Sequence, residues 1–485
     1  MTHYALLPFQ LGRFDDESYL IVNESGEYHF LDRGALEHLV NGTLAQTDPH
    51  YLELASKQFL VDGDLATAVD MTATRYRTRK RFISEFTALH MLVITLRCNQ
   101  DCRYCQVSAE SDIAHQFDMS PEAAERAVDF AFMSPSPAIK IEFQGGEPTL
   151  NWKTLTAAVA HAEAINQGKK KNLEFVVCTN LTGITREKLE YLRDHNISIS
   201  TSLDGPQHIH DKNRIFRTGG GGTYQIFENR LQEAFDVCSR DSVSALMTTT
   251  ADSVDHLREV VDEYVAKGFT GIFFRALNPY GLAAENCGSL GYTMERFAEN
   301  YENALDYIIE LNLRGTFFVE FFASILLSRI LTPFSTGFVD LQSPAGTGIS
   351  GVIYDFNGDV YPADEARMLA RMGDKRFLMG NVFTDSYTDI FGGPVIRELV
   401  AKSIVEGMPG CASCVYRTYC GADPVRNYLE TGDLIGRRPD GFCEKNKRIL
   451  DILFRKLKAD DPDTLDVFWS WITNRPLSIL RTGAA

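Results

Sequence analysis

From residue 91 to residue 276 the chain repeats one pattern, a short apolar run followed by a longer amphipathic one. The apolar runs fall at 91–97, 139–144, 173–179, 197–203, 243–250 and 270–276. Between them apolar residues recur at helical spacing, and Ser120-Pro121-Glu122 opens the first such stretch with a Ser N-cap and Pro at the first helical position. A further helix is predicted over 294–313. Six strand–helix units of this kind predict a parallel sheet. Upstream, strand-like runs from Tyr19 to Val22 and from Tyr28 to Leu31 flank a Glu-Ser-Gly turn, which predicts a hairpin, and helical segments follow near 35–40 and 51–59. The basic run RYRTRKR, residues 75–81, reads as a solvated linker, with attraction of an acidic peptide as the functional alternative.

At 485 residues the chain exceeds one ordinary domain, and 44% hydrophobic with 23% charged residues is a globular composition. The longest apolar stretch, 316–334, is interrupted by Glu320 and Arg329, so no membrane span is expected. The start, MTHYALLPFQ, lacks the basic and apolar segments of a signal peptide, and a cytoplasmic location is expected. A formal charge of −17 argues against a nucleic-acid partner.

The first apolar run ends at Arg97 and three cysteines follow at once, Cys98, Cys102 and Cys105, spaced C-x3-C-x2-C. Thiolates are soft ligands, and three on one loop suit a [4Fe–4S] cube with one iron left open. The alternative is a zinc site, which would want a fourth ligand nearby. A second group, Cys411, Cys414, Cys420 and Cys443, is spaced C-x2-C-x5-C-x22-C, and here too a cluster and structural zinc are the alternatives. Cys178 and Cys238 read as buried small hydrophobes, and nothing assigns Cys287 a role.

C-x3-C-x2-C with the aromatic Tyr104 before its last cysteine resembles the signature of the radical S-adenosylmethionine (SAM) enzymes. The resemblance implies a partial (βα)6 barrel, SAM bound through its amino and carboxylate groups at the open iron, and reductive cleavage to a 5′-deoxyadenosyl radical that takes a hydrogen atom from a C–H bond. GGEP, residues 145–148, matches the family's SAM-amino-group motif, so Gly145 and Gly146 with Glu147 become SAM-binding candidates. The segment Ser202-Leu203-Asp204-Gly205, followed by His210, Asp211 and Arg214, is similar to peptide-modifying relatives. There the Ser and Arg hold the SAM carboxylate, with Asn180 close by. For Asp204, turn and cap chemistry is preferred. Arg275 is expected to face SAM or substrate.

The second cysteine group resembles part of the SPASM auxiliary-cluster extension of peptide and sulfatase maturases. Ala363 in the Gly358 frame and Pro424 stand where that pattern has cysteines of an inner cluster, which is therefore expected to be lost. Two [4Fe–4S] clusters are expected in all, one binding SAM and one fully held by the second group. Asp364 stands where maturases place a carboxylate base, with Glu365 and Asp355 as alternatives.

The start, the barrel motifs and CGADPVRNYLE together are similar to the B-type radical SAM maturases of His-Xaa-Ser peptide systems. The expected organisation is an N-terminal winged-helix-like α+β unit with the basic linker (1–85), the barrel (86–320), a SPASM-like domain (321–446) and a C-terminal helix and tail (447–485). The resemblance implies a ribosomally made precursor peptide with His-Xaa-Ser repeats, a flavodoxin- or ferredoxin-type electron donor and other maturation proteins as partners. The expected reaction is an oxidative cross-link, with epimerisation, formylglycine formation and a non-enzymatic zinc protein as rivals. For epimerisation, Cys287 is the loose candidate for a hydrogen donor.

Overall fold

The computed structural model describes residues 4–436, 438 and 440–482; residues 1–3 and 483–485, at the outer ends of the expected first and last units, lie outside the described residues. Six parallel strands pair in chain order: β1 (Leu89–Thr95), β2 (Ala138–Gly145), β3 (Asn172–Cys178), β4 (Ile197–Ser202), β5 (Val243–Thr248) and β6 (Phe274–Arg275). The main crossover helices are α1 (Pro121–Met133), α2 (Trp152–Lys169), α3 (Arg186–Asp194), α4 (Tyr224–Cys238) and α5 (Leu257–Lys267), and α6 (Met294–Leu313) follows β6. Ser120 caps α1 by accepting from Ala123 N, and α6 has the predicted bounds. This is the expected partial barrel.

Side-chain alternation explains how the sheet surrounds a lumen. On β2, Ile139, Ile141 and Phe143 are buried in the apolar core, while Glu142 and Gln144 alternate with them and line a cavity. On β4 the same alternation puts Ile197 and Ile199 in the core and small Ser200 and Ser202 on the cavity wall. Two predicted strands depart from expectation: the run 91–97 ends its barrel pairing at Thr95, with Arg97–Cys98 paired instead to Glu110–Ser111, and the last run splits. The run 270–276 splits at Phe273, so that Gly271–Ile272 pairs with Val319–Glu320 while Phe274–Arg275 pairs with β5. Beyond β1 the sheet continues through β7 (Gly351–Tyr354), parallel to β1, and the antiparallel β8 (Asp359–Tyr361) and β9 (Gly380–Asn381).

The N-terminal hairpin forms at Tyr19–Asn23 and Tyr28–Leu31, and Phe9–Arg13 adds a third antiparallel strand to it. Its small core, with Ile21, Leu31, Leu39, Leu54 and Phe59, is its own. The turn docks on the second cysteine segment: Tyr419 OH donates to Gly26 O at 3.0 Å, and Glu24 pairs with Arg417. The basic run is a clamp and not a solvated linker. It ends the helix Leu65–Arg79 and continues to Arg81, with Arg75 paired to Glu27 (2.9 Å), Arg79 donating to Ser25 O and Arg329 O, and Lys80 paired to Glu406 (2.6 Å). These cations are therefore committed within the fold. No helix among the described residues is long and apolar enough to cross a membrane.

Candidate functional site

Cys98, Cys102 and Cys105 line one cavity of about 1170 Å³ at the C-terminal ends of the barrel strands. The cysteine loop is fixed from below by backbone contacts. Gly146 N donates to Thr95 O (2.8 Å) and Glu147 N to Arg97 O (2.7 Å), so the GGEP turn lies directly against the loop. A Cβ on Gly146 would sit 2.4 Å from the carbonyl oxygens of both Leu96 and Arg97, which is why this position is glycine. Both glycines line the cavity.

Glu147 departs from expectation. Its carboxylate is fully buried and accepts from Thr149 Oγ1 (2.6 Å), Thr179 Oγ1 (2.8 Å) and Asn180 N (2.8 Å). It ties the end of β2 to the end of β3 and so sets Asn180, whose Nδ2 lies 3.8 Å from Cys98 Sγ. The cavity wall carries Asn180 and Ser202, and across it Arg275 and Asp364.

Asp204 also departs from the turn role. It is fully buried and accepts from Tyr104 OH (2.6 and 2.8 Å) and from Arg214 Nε (3.1 Å) and Nη2 (3.4 Å). The guanidinium lies over the Tyr104 ring at 5.3 Å, with Nη1 4.0 Å from Cys102 Sγ. The carboxylate thus holds Arg214 beside the cysteine loop. Asp211 does cap: it accepts from Tyr224 N (2.8 Å), at the start of α4.

Asp364 opens the helix Asp364–Arg371, which is held to the segment after the cysteine loop. Arg367 Nη2 donates to Val107 O (3.1 Å) and Arg371 Nη2 to Glu110 (2.5 Å). Arg275 approaches Asp364 at 4.0 Å. Burial works against ionisation of Asp364, but the Glu365 hydrogen bond and the charges of Arg275 and Arg367 hold it below the usual carboxylate range. Burial, and then the charge of Asp364, pushes Glu365 well up. Asp355 faces Arg367 (3.9 Å) and is absent from the residues lining the cavity. Of the three carboxylates weighed in the sequence, Asp364 is therefore the ionised one at the site.

The four cysteines of the second group converge on another cavity, of about 720 Å³, with Cys420 receiving Asn446 Nδ2 at 3.6 Å. Between the two lies a chamber of about 1580 Å³. It shares Glu142, Arg275 and Asp364 with the first cavity and Ala422, Asp423 and Phe442 with the second. Ala363, at the position of the missing cysteine, lines this chamber.

The chemistry of the donor sets suits clusters, since three cysteines line one cavity and four line a second, although no group of three or more ligating side chains is drawn together at metal-binding distance among the described residues. Burial pushes the Cys98 thiol well up and those of Cys102 and Cys420 to about 12. Without a metal these sulfurs stay protonated, and cluster loading must release their protons.

Sequence reasoning missed Glu142 and Cys178. The Cys178 thiol lies on the cavity wall, 3.2 Å from Glu142 Oε1, and is not the small core residue expected. The period-2 alternation of β2 and β3 was the available signal. Cys238 is buried as expected, whereas Cys287 is exposed and absent from the residues lining the cavity.

Residues 92–264, which run from β1 into α5, match the Radical SAM superfamily. The chain is 25% identical over 208 residues to the radical SAM cyclopropyl synthase TigE of Paramaledivibacter caminithermalis, covering 40% of this chain and 41% of that one. The chain thus spans about two fifths of that relative's length. It is 23% identical to a cysteine-type anaerobic sulfatase-maturating enzyme of Clostridium novyi, over 76% of this chain and 96% of the relative. The structure of Streptococcus suis SuiB bound to precursor peptide SuiA superposes with a TM-score of 0.54 at 13% identity, over 90% of this chain and 99% of SuiB.

Proposed function

We propose that this chain, built on its radical SAM domain, is an oxidoreductase that takes a hydrogen atom from a residue of a ribosomally made precursor peptide and completes a two-electron oxidation to a cross-link. The observation that carries this reading is the shared wall. Asp364 and Arg275 face Cys98, Cys102 and Cys105 across one cavity and border the chamber beyond it. Similarity to a sulfatase-maturating enzyme, and to the fold of SuiB solved with its precursor peptide, supports a peptide as the substrate. A precursor with His-Xaa-Ser repeats is supported by the resemblance carried by the start, the barrel motifs and CGADPVRNYLE, and a flavodoxin- or ferredoxin-type donor is proposed with it.

When bound, SAM on the first cluster supplies the radical that removes hydrogen, and the second cluster supplies a path for electrons. Cys98, Cys102 and Cys105 would hold the first; Cys411, Cys414, Cys420 and Cys443 the second. Gly145, Gly146, Asn180, Ser202 and Arg214 surround the space for SAM, with Tyr104 packed behind Arg214. Asp364, ionised next to Arg275, accepts the proton released as the substrate is oxidised. Glu147 and Asp204 position Asn180 and Arg214.

One observation favours a second reading. The Cys178 thiol on the cavity wall is placed to return a hydrogen atom, which epimerisation requires. Anaerobic incubation with SAM, reductant and a His-Xaa-Ser precursor, read by tandem mass spectrometry, separates the two. A loss of 2 Da is expected for one cross-link. No mass change in H2O, with a gain of about 1 Da when the reaction is run in D2O, would replace cross-linking by epimerisation. Iron and sulfide analysis should give about eight irons per chain, whereas zinc without sulfide would refute the enzyme reading.

A further inference from the structure

We infer that the chamber between the two cysteine-lined cavities binds a positively charged side chain, an ammonium or guanidinium carried by the substrate; this rests on the peptide-modifying reading above. Five carboxylates line it, Glu142, Asp340, Asp364, Glu365 and Asp423, against two cations, Arg275 and Lys445. Arg275 lies beside Asp364 at 4.0 Å. The Lys445 ammonium lies over the rings of Phe322 and Phe442, 5.2 Å from each centroid, and makes no ion pair among the described residues. The formal balance of the lining side chains is three negative charges.

These carboxylates strain against one another. Burial, followed by the charge of neighbouring carboxylates, pushes Glu365 well up, while Asp423 is pushed up to about 6. A cation among them would relieve that repulsion.

A second feature points to a donor independently of the acids. Asn446 is 1% exposed and lines the chamber. Its Nδ2 is directed to Cys420 Sγ, and its Oδ1 has no hydrogen-bond partner. A buried carbonyl oxygen without a donor is costly, and an N–H from a ligand would satisfy it. The remaining wall is apolar, with Phe273, Phe322 and Phe338, and suits the alkyl stem of a lysine or arginine.

The position gives the site its use. The chamber shares Glu142, Arg275 and Asp364 with the radical cavity, so a basic side chain anchored there leaves a neighbouring residue of the same peptide in front of Asp364. Ala363, which stands where the resemblance expects a cluster ligand, lines the same space.

The test uses the reconstituted full-length chain and fluorescent peptides Gly-Ser-Xaa-Ser-Gly with Lys, norleucine or Glu at Xaa. Binding is read by anisotropy, and n-butylammonium serves as a competitor. The Lys peptide is expected to bind about tenfold more tightly than the norleucine peptide, and the Glu peptide more weakly than both. Asp340 is exposed and makes no hydrogen bond or ion pair among the described residues, so Asp340→Asn removes charge without loosening the fold. It should shrink the Lys preference to about threefold, as should Asp423→Asn at pH 7.5, where Asp423 is ionised and its cap on Arg426 N is kept by the amide. Equal binding of the three peptides, or a Lys preference untouched by both variants, overturns the proposal while leaving the peptide reading intact. If n-butylammonium binds and depends on Asp340 but no peptide does, the charged site stands and the peptide reading fails.

Discussion

Replacing Asp204 tests whether the buried Tyr104–Asp204–Arg214 group positions the cysteine loop. Asp204 is fully buried and Arg214 is 8% exposed, so each charge depends on the other for solvation. Asp204→Asn keeps the shape and most of the acceptor geometry but leaves the Arg214 guanidinium uncompensated. Removing one partner of such a pair costs about 3–5 kcal/mol. The double variant Asp204→Asn/Arg214→Met removes the stranded charge and should recover about 2 kcal/mol of that loss. Denaturant unfolding of the wild-type, two single-variant and double-variant chains measures the coupling directly. A second measurement separates position from stability: the electron paramagnetic resonance spectrum of the reduced cluster should change in Asp204→Asn, because Arg214 Nη1 lies 4.0 Å from Cys102 Sγ. Additive single-variant effects together with an unaltered spectrum would show that the three groups do not act as a unit, and the positioning role assigned to Asp204 would be wrong.

Glu320 gives a pH dependence of stability. It is fully buried, bonded to Tyr301 OH (2.6 Å) and Ala323 N (2.5 Å), and burial pushes it up to about 7. Its folded value exceeds the unfolded one, so the native state binds the extra proton and stability falls as pH rises from about 4.5 to 7, by about 3 kcal/mol. Between pH 5.5 and 7.5 wild type should lose about 2 kcal/mol more stability than Glu320→Gln, and equal slopes would contradict it. Gly146→Ala places a methyl 2.4 Å from two carbonyl oxygens and should cost about 1–3 kcal/mol along with cluster retention, read by thermal unfolding and iron content. Asp364→Asn should lower peptide turnover about 10²–10⁴-fold while SAM cleavage continues, seen as a raised ratio of 5′-deoxyadenosine to product. Replacing Cys411 and Cys414 together by Ala should halve the iron content to about four per chain, and an unchanged content would remove that group as a cluster site.

The local sequence determined the order of elements. The apolar runs gave five of the six barrel strands nearly to their ends, and the Ser-Pro N-cap gave the start of α1, because periodicity and capping act within a few residues. The cysteine spacings were legible for the same reason, since a cluster loop is a short-range device. Tertiary structure alone decided which side chains share a space. Asp204 read as a turn residue because its partners, Tyr104 and Arg214, are 100 positions upstream and 10 downstream. Glu142 and Cys178 are ordinary strand residues in sequence, and become part of a cavity wall only when β2 and β3 pair in register and turn the same face inward. RYRTRKR looked like a solvated run, yet its cations find partners at Glu27, Arg329 and Glu406, contacts that no local pattern encodes. The physical reason is that burial and pairing set the free energy of a charged group, and both depend on residues far away in the chain.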